Sequence, residues 1–427
     1  MGEEALEKKR WWIAAAAVLM QLCLGTVYAW SVFKTPLKTM HGWGETATQA
    51  TFMVCIGVIG IAAAFGGLLV DKRGPRFVAT VGGILFGLGT ILAGFADQIG
   101  SLPLLYLSFG LIAGLGNGFG YVTPIATLIR WFPDKRGLVT GLAVMGFGAG
   151  AFFMGRIAPE MINSYQVKDA AGNMIASGVA KTWYIWGVVF LVLVTAAAQL
   201  YKNPPKGWLP AGFTPSAKKG VSAAESRNLA EAIHVPQWWM LWAMLFLNIS
   251  AGLGLLSQLS PMAQDVLRPR IADPKALAVA GGTILAIASI FNGLGRLFWA
   301  WLSDGIGRRM VFIVMFLTQA ILYILLPQIG TQVLFTVIAC YLLACYGGGF
   351  ATMPAFAADS FGPAYIGRVY GTMLTAWSAA GVVGPLVFAQ FKRGTAMYVA
   401  AGLLVVGLLF ALAYRRPEPK KVDPASA

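Results

Sequence analysis

Apolar residues run along this chain in blocks of about twenty, parted by short polar stretches, and the pattern holds almost from end to end. The blocks fall near 11–33, 46–70, 77–96, 103–129, 138–158, 183–200, 237–259, 277–302, 310–328, 332–357, 369–390 and 395–414. An α-helix rises about 1.5 Å per residue, so each block is long enough to cross a hydrocarbon core of about 30 Å. Inside a bilayer the backbone must satisfy its own polar groups, which leaves helices as the form these blocks can take. The pattern therefore predicts an all-α membrane protein with twelve transmembrane helices. The run 332–357 is Gly-rich enough to kink. Residues 3–10 end in Lys8, Lys9 and Arg10, but the apolar run behind them is too long for a signal-peptide core, so it is expected to remain as the first helix.

Composition agrees with the pattern. Apolar residues make up 58% and charged residues 11%, against about 25% charged in an average soluble domain, and a soluble globular enzyme is excluded. The net charge of +15 is divided among loops and tails rather than gathered into a stripe, so nucleic acid is not an expected partner. Cys23, Cys55, Cys340 and Cys345 lie inside apolar runs without metal-ligand spacing, and neither a metal nor a cofactor is expected. Placing both termini inside puts 21 of the 32 Lys and Arg residues on the cytoplasmic side, 10 on the other, and leaves Arg296 within a helix. By the positive-inside rule both termini are expected to be cytoplasmic. The polar stretch 201–235, with Lys206, Lys218, Lys219 and Arg227, reads as a cytoplasmic linker between a bundle at 1–200 and a second at 236–416, with a cytoplasmic tail at 417–427.

The two halves look like copies of one another. Trp11-Trp12 opens the first block and Trp238-Trp239 the seventh. Asp71-Lys-Arg-Gly-Pro-Arg76 follows the second block, and Asp304-Gly-Ile-Gly-Arg-Arg309 follows the eighth. Asp71 lies 65 residues before Arg136, and Asp304 lies 64 before Arg368. Repeated six-helix halves are the mark of transporters that rock two bundles about a midplane site. In the loop motifs an acid ends one helix and basic residues begin the next. Asp71, Arg73, Arg76, Asp304 and Arg308 could thus form a cytoplasmic ion-pair gate, with simple topological retention as the plainer role.

Charges inside a bilayer are costly and mark function. All acidic residues, and every basic residue but Arg296, are assigned to loops, tails or helix ends. Arg296 follows Asn292 by four residues, so amide and guanidinium share a helix face, and that face should point inward. A buried guanidinium without a carboxylate is opposed by several kcal/mol, so an anion from solution is the expected partner, and a small carboxylate suits its planar fork. The alternative is structural bonding to backbone carbonyls or to the interface. Tyr28, Trp30, Tyr121, Tyr341, Tyr346, Phe350 and Trp377 are candidates for a cavity wall; each one by itself is better suited to packing, and only convergence with Arg296 would make a site. Gly114, Gly116, Gly118 and Gly120, Gly146, Gly148 and Gly150, and Gly347 to Gly349 suit close helix approach rather than a dinucleotide loop, since no strand precedes them and the spacing is wrong.

The loop motif, its repeat and the six-plus-six layout resemble the major facilitator superfamily over essentially the whole chain. Tyr28-Ala-Trp-Ser31, Arg130-Trp-Phe-Pro-Asp-Lys-Arg-Gly137, Asn292-Gly-Leu-Gly-Arg296 and Asp359-Ser-Phe-Gly362 resemble the oxalate:formate antiporter family, which is similar to the monocarboxylate transporters. The resemblance implies the major facilitator fold, a substrate carboxylate bound by Arg296, and aromatic site residues at Tyr28, Tyr121, Tyr346 and Phe350. One departure bears on the substrate: the oxalate exchangers of that family carry a lysine in helix eleven, and this chain has Trp377 there. One buried cation neutralises a monoanion such as lactate, pyruvate or formate but leaves a dianion with a bare charge. The expectation is a secondary transporter of small monocarboxylates, proton-coupled, working as a monomer in the lipid bilayer of the plasma membrane. Oxalate/formate exchange and an anion-conducting pore stand as alternatives. A sugar carrier usually depends on amide and carboxylate side chains facing hydroxyls, and in this chain the membrane acids are missing. An enzyme is not expected, because the only histidines, His41 and His234, have no catalytic partners at recognisable spacing.

Overall fold

The structure is a computed structural model that describes residues 3–132, 136–172, 174–205, 208–210, 226–362 and 365–418, with the side chains of 3, 71, 129, 136–140, 366 and 367 outside the description. Among the described residues, twelve helices are long and apolar enough to cross a membrane. The first six are α1 (Glu4–His41), α2 (Glu45–Val70), α3 (Pro75–Gln98), α4 (Leu102–Leu128), α5 (Gly141–Tyr165) and α6 (Val179–Gln199). The second six are α7 (Pro236–Leu267), α8 (Pro274–Ile306), α9 (Arg308–Gln328), α10 (Gln332–Phe361), α11 (Arg368–Gln390) and α12 (Arg393–Ala413). The described strands are a short hairpin between α5 and α6, β1 (Val167–Lys168) with β2 (Met174–Ala176).

An even number of crossings precedes both the 201–235 stretch and the C-terminus, so these and the N-terminus share one end of the bundle, the linker end. There Trp131 donates its indole N–H to the Lys202 carbonyl at 2.5 Å, and the Arg227 N–H donates to the Phe361 carbonyl at 2.8 Å. Lys206, Lys218 and Lys219 of the stretch, and Pro133 to Lys135 of the loop after α4, lie outside the described residues.

The run over α10 is one continuous helix with Pro354 inside it. One expectation needs correction. The first helix does not stop near residue 33 but continues to His41, carrying Lys34 and Lys38 within it. Lys34 is only 2% exposed, so Arg296 is not the sole cation buried in a helix. The Lys was read as a helix end because charge normally marks one. Here a neighbouring carboxylate, Glu45, compensates it at 2.6 Å.

Helix breaks occur elsewhere. A 3₁₀ turn at Thr26–Ala29 divides α1, Gly150 interrupts α5, and Leu374 interrupts α11. Glycines set how near the helices come. In α4 the alternate glycines form two pairs spaced four apart, which fall on different helix faces. A Cβ on Gly114 or Gly118 would meet the backbone of α2, at Cys55 and Ile59, whereas one on Gly116 would meet α3 at the Gly82 carbonyl. Two small-residue stripes thus let α4 pack closely on two neighbours at once. Between the halves, α2 packs on α11, and α5 packs on α8.

Candidate functional site

Arg296 sits about two-thirds of the way along α8, towards its Ile306 end, and is 1% exposed. Its Nε donates to Asn292 Oδ1 at 3.3 Å, one helical turn earlier. Two glycines make room for this pair. A Cβ on Gly148 of α5 would lie 2.6 Å from Asn292 Oδ1 and 2.9 Å from Arg296 Nε, and one on Gly347 of α10 would overlap the Asn292 carbonyl and approach Arg296 Cγ to 3.0 Å. The two residues are therefore flanked by bare backbone from both halves.

Rings from both halves close around the guanidinium. Its carbon lies 5.2 Å from the Phe350 centroid, in cation–π range. Phe350 meets Trp377 at 5.1 Å and Tyr346 at 5.6 Å, both edge to face. From the first half, Tyr121 and Phe147 lie 5.1 and 5.9 Å from Trp377, and Tyr28 lies 5.1 Å from Phe147. Tyr346 donates to the Tyr28 hydroxyl at 2.6 Å, a bond that joins the halves across the centre. The guanidinium is close enough to the Tyr28 and Tyr121 hydroxyls to act on them electrostatically.

Local breaks in the helices aim several of these rings. Tyr28 is carried on the 3₁₀ turn of α1, where Thr26 Oγ1 bonds back to the Cys23 carbonyl at 2.6 Å. Gly25 lets this turn press onto the Phe147 backbone, since any Cβ there would overlap the Phe147 carbonyl. Trp377 follows the break at Leu374 and donates its backbone N–H to the Leu374 carbonyl at 2.9 Å.

The box is rich in hydrogen-bond donors that the protein leaves unpaired. Arg296 Nη1, Asn292 Nδ2 and Trp377 Nε1 are buried donors without hydrogen-bond partners. Among the described residues, no aspartate or glutamate pairs with Arg296. An unpaired buried charge or polar group costs free energy until something fills it. A carboxylate offers acceptors only, which is what these donors lack.

Of the residues singled out in the sequence, Arg296, Asn292, Tyr28, Tyr121, Tyr346, Phe350 and Trp377 converge here. Trp30 does not: it joins Phe52, Phe109 and Trp183 in a ring cluster inside the first half. Tyr341 bonds Thr318 at 2.7 Å, apart from the box. Phe147 was missed, because a lone Phe among glycines has no signature that separates wall from packing.

The gate residues behave unequally. Arg308 pairs with Asp304 at 2.5 Å and with Asp359 at 3.3 Å, tying α8, α9 and the end of α10 together. These partners all lie in its own half. Arg73 and Arg76 are exposed at the linker end, and the Asp71 side chain lies outside the described residues. The opposite end holds an ionic cluster that sequence reasoning missed. Lys34 and Lys38 of α1 pair with Glu45 of α2, and Gln258 of α7 bonds both Lys34 and Glu45, the latter at 2.8 Å. Gln258 thus links the halves.

Comparison with known proteins places this architecture. The chain is 29% identical to the oxalate:formate antiporter of Oxalobacter formigenes over 416 residues, 95% of this chain and 90% of that protein. It is 26% identical to the apicoplast pyruvate carrier 1 of Toxoplasma gondii, across 87% of this chain and 82% of the carrier. It is also 26% identical to the monocarboxylate transporter 13 of Rattus norvegicus, across 94% and 86%. Among solved structures, a bacterial homologue of the human lysosomal transporter Spinster, inward-facing and unoccupied, superposes with a TM-score of 0.69 at 15% identity, covering 94% of this chain and 96% of that one. The family model of the Major Facilitator Superfamily matches residues 13–385 and, again, 278–427. With that match and a twelve-helix fold built from two halves, the chain belongs to the Major Facilitator Superfamily.

Proposed function

We propose that this protein moves small monocarboxylates, of the lactate, pyruvate or formate kind, across the plasma membrane by alternating access, with proton coupling and with both termini in the cytoplasm. The observation that carries the reading is the Arg296 guanidinium, buried without a protein carboxylate and bordered by the unpartnered donors of Asn292 and Trp377. A carboxylate entering the box neutralises the charge and accepts from those donors. The rings around it are in mutual contact, so the space they yield suits a small substrate. For the site to open to one side, the Tyr28–Tyr346 bond between the halves has to part, and a bound anion offers the two hydroxyls another acceptor. The relatives named for monocarboxylates and for pyruvate support the substrate class.

In this reading the units are the bundle at 1–200, the linker at 201–235, the bundle at 236–416 and the tail after it. Arg308 with Asp304 and Asp359 stiffens the second half at the cytoplasmic end, where Asp71, Arg73 and Arg76 mark the repeat. Oxalate/formate exchange is the second reading, favoured by the antiporter relative. It is opposed by Trp377, which leaves the box with one cation: Lys34 is buried too, but Glu45 already neutralises it. The role is transport rather than catalysis.

Labelled lactate, pyruvate and oxalate in proteoliposomes, with and without a pH gradient, test the proposal. Uptake should saturate, show counterflow, and for lactate or pyruvate rise with an inward proton gradient. Arg296→Lys keeps the charge but not the fork, and should lower uptake about ten- to a hundredfold, the worth of one charge-assisted hydrogen bond, in a protein that still folds. Unchanged kinetics would remove Arg296 from the site, and flux linear in the gradient would indicate a pore.

A further inference from the structure

At the end opposite the linker, a cavity of about 360 Å³ opens where the two halves meet. Lys34 and Lys38 line it from the first half, and Arg268, Lys392 and Arg393 from the second, facing the two carboxylates of Glu45 and Asp265. Arg268 and Arg393 both pair with Asp265, and Lys34 and Lys38 both pair with Glu45. Each carboxylate is therefore shared by two cations, and Lys392 adds a fifth. The cavity has a surplus of positive charge held by both halves.

Its position gives that charge a purpose. Lys34 and Gln258, bonded to each other, lie at its inner side. Six residues deeper along α1 is Tyr28, and six residues deeper along α7 is Gly252, against which the Tyr346 ring packs, in each case about 9 Å of helix rise. The Lys34–Glu45–Gln258 cluster is thus a floor between this cavity and the aromatic box. A cleft with a surplus of one sign of charge attracts counter-ions to its mouth.

We propose that this cavity is a second, outer docking site for small carboxylates, occupied before the anion reaches Arg296. The proposal rests on the carboxylate-transport reading. Lys392, exposed at the mouth, and Lys38, half-buried beside Glu45, hold the arriving carboxylate. Drawing Lys38 away from Glu45 removes one of the bonds that fix the floor. Passage to Arg296 then requires Gln258 to release Lys34 and Glu45.

The test uses the full-length Arg296→Ala protein in detergent, in which the inner site is disabled, and reads pyruvate binding by saturation-transfer NMR. Weak pyruvate binding should persist, and adding Lys38→Gln or Lys392→Gln should weaken it about fivefold, the upper worth of a partly exposed ion pair. Lys392 is exposed and Lys38 half-buried, and a thermal melt checks that each variant still folds. No binding, binding indifferent to both lysines, or displacement by an equal concentration of chloride overturns the docking site. Pyruvate uptake by the wild-type protein is read alongside. Normal uptake with no residual binding removes the docking site and keeps the Arg296 reading, whereas lysine-dependent binding with no uptake does the reverse.

Discussion

Trp377 packs its ring against Tyr121, Phe147 and Phe350, the last of which lies beside the Arg296 guanidinium. Its indole N–H has no partner, so it can donate to an anion but adds no charge. Charge matching at the box therefore depends on this one position. Trp377→Lys places a second cation beside Arg296, and without ligand the like charges in a dry site should lower the melting temperature. Oxalate then becomes the complementary ligand. At about a hundredfold excess over its Kd, oxalate should restore about 2.7 kcal/mol in a thermal-shift titration, while lactate restores less. A variant that folds yet gains no oxalate-dependent stabilisation sinks the charge-matching argument and leaves the fold untouched.

Between helices, close approach is set by the absence of side chains. Gly118 of α4 faces α2 so tightly that a Cβ would come to 2.5 Å from the Ile59 carbonyl and 2.6 Å from the Ala62 Cβ, whereas Gly402 of α12 has nothing within 4 Å. Gly118→Ala should cost about 1–3 kcal/mol by overpacking. Gly402→Ala, by removing a flexible residue from a helix, should be neutral or slightly stabilising. Melting curves of the two variants compare a packed glycine with a free one, and equal shifts would refute the packing role. Glycines at every second position were visible in the sequence as a sign of close packing. Which helix each one met was not, because that depends on rotation about the axis of α4. The same limit explains the rest. Twelve apolar blocks, the repeat and an arginine within the eighth block are local patterns and were legible. Phe147 has no local mark, and Lys34 carried a misleading one: it sits where an apolar block fades, and its compensating Glu45 lies across a turn, on the next helix. The link from Lys34 to Gln258 joins residues 224 apart, and nothing in either neighbourhood announces it.

At the scale of the whole molecule, the two halves are joined at the centre by Tyr28 and Tyr346 and at the end opposite the linker by Gln258. The outer link is charge-assisted, since Gln258 accepts from Lys34 and donates to Glu45, and neither partner depends on it for its own charge balance. Gln258→Leu therefore removes the contact between halves while leaving the Lys34–Glu45 pair intact. Losing charge-assisted hydrogen bonds worth about 1.5–3 kcal/mol each should shift the equilibrium between closed and open states at this end by about tenfold or more. Ser31 reports the shift: it lies one helical turn inside Lys34, is 1% exposed, and its hydroxyl has no partner, so Ser31→Cys is a mild change. The native cysteines Cys23, Cys55, Cys340 and Cys345 are buried and provide a low background. An impermeant thiol reagent applied from this end should label the Ser31→Cys protein slowly and the Gln258→Leu, Ser31→Cys protein about ten times faster. Equal labelling rates in the two proteins would mean that Gln258 does not hold the halves closed, and the outer gate would then have to be sought among other contacts between α1, α2, α7 and α11.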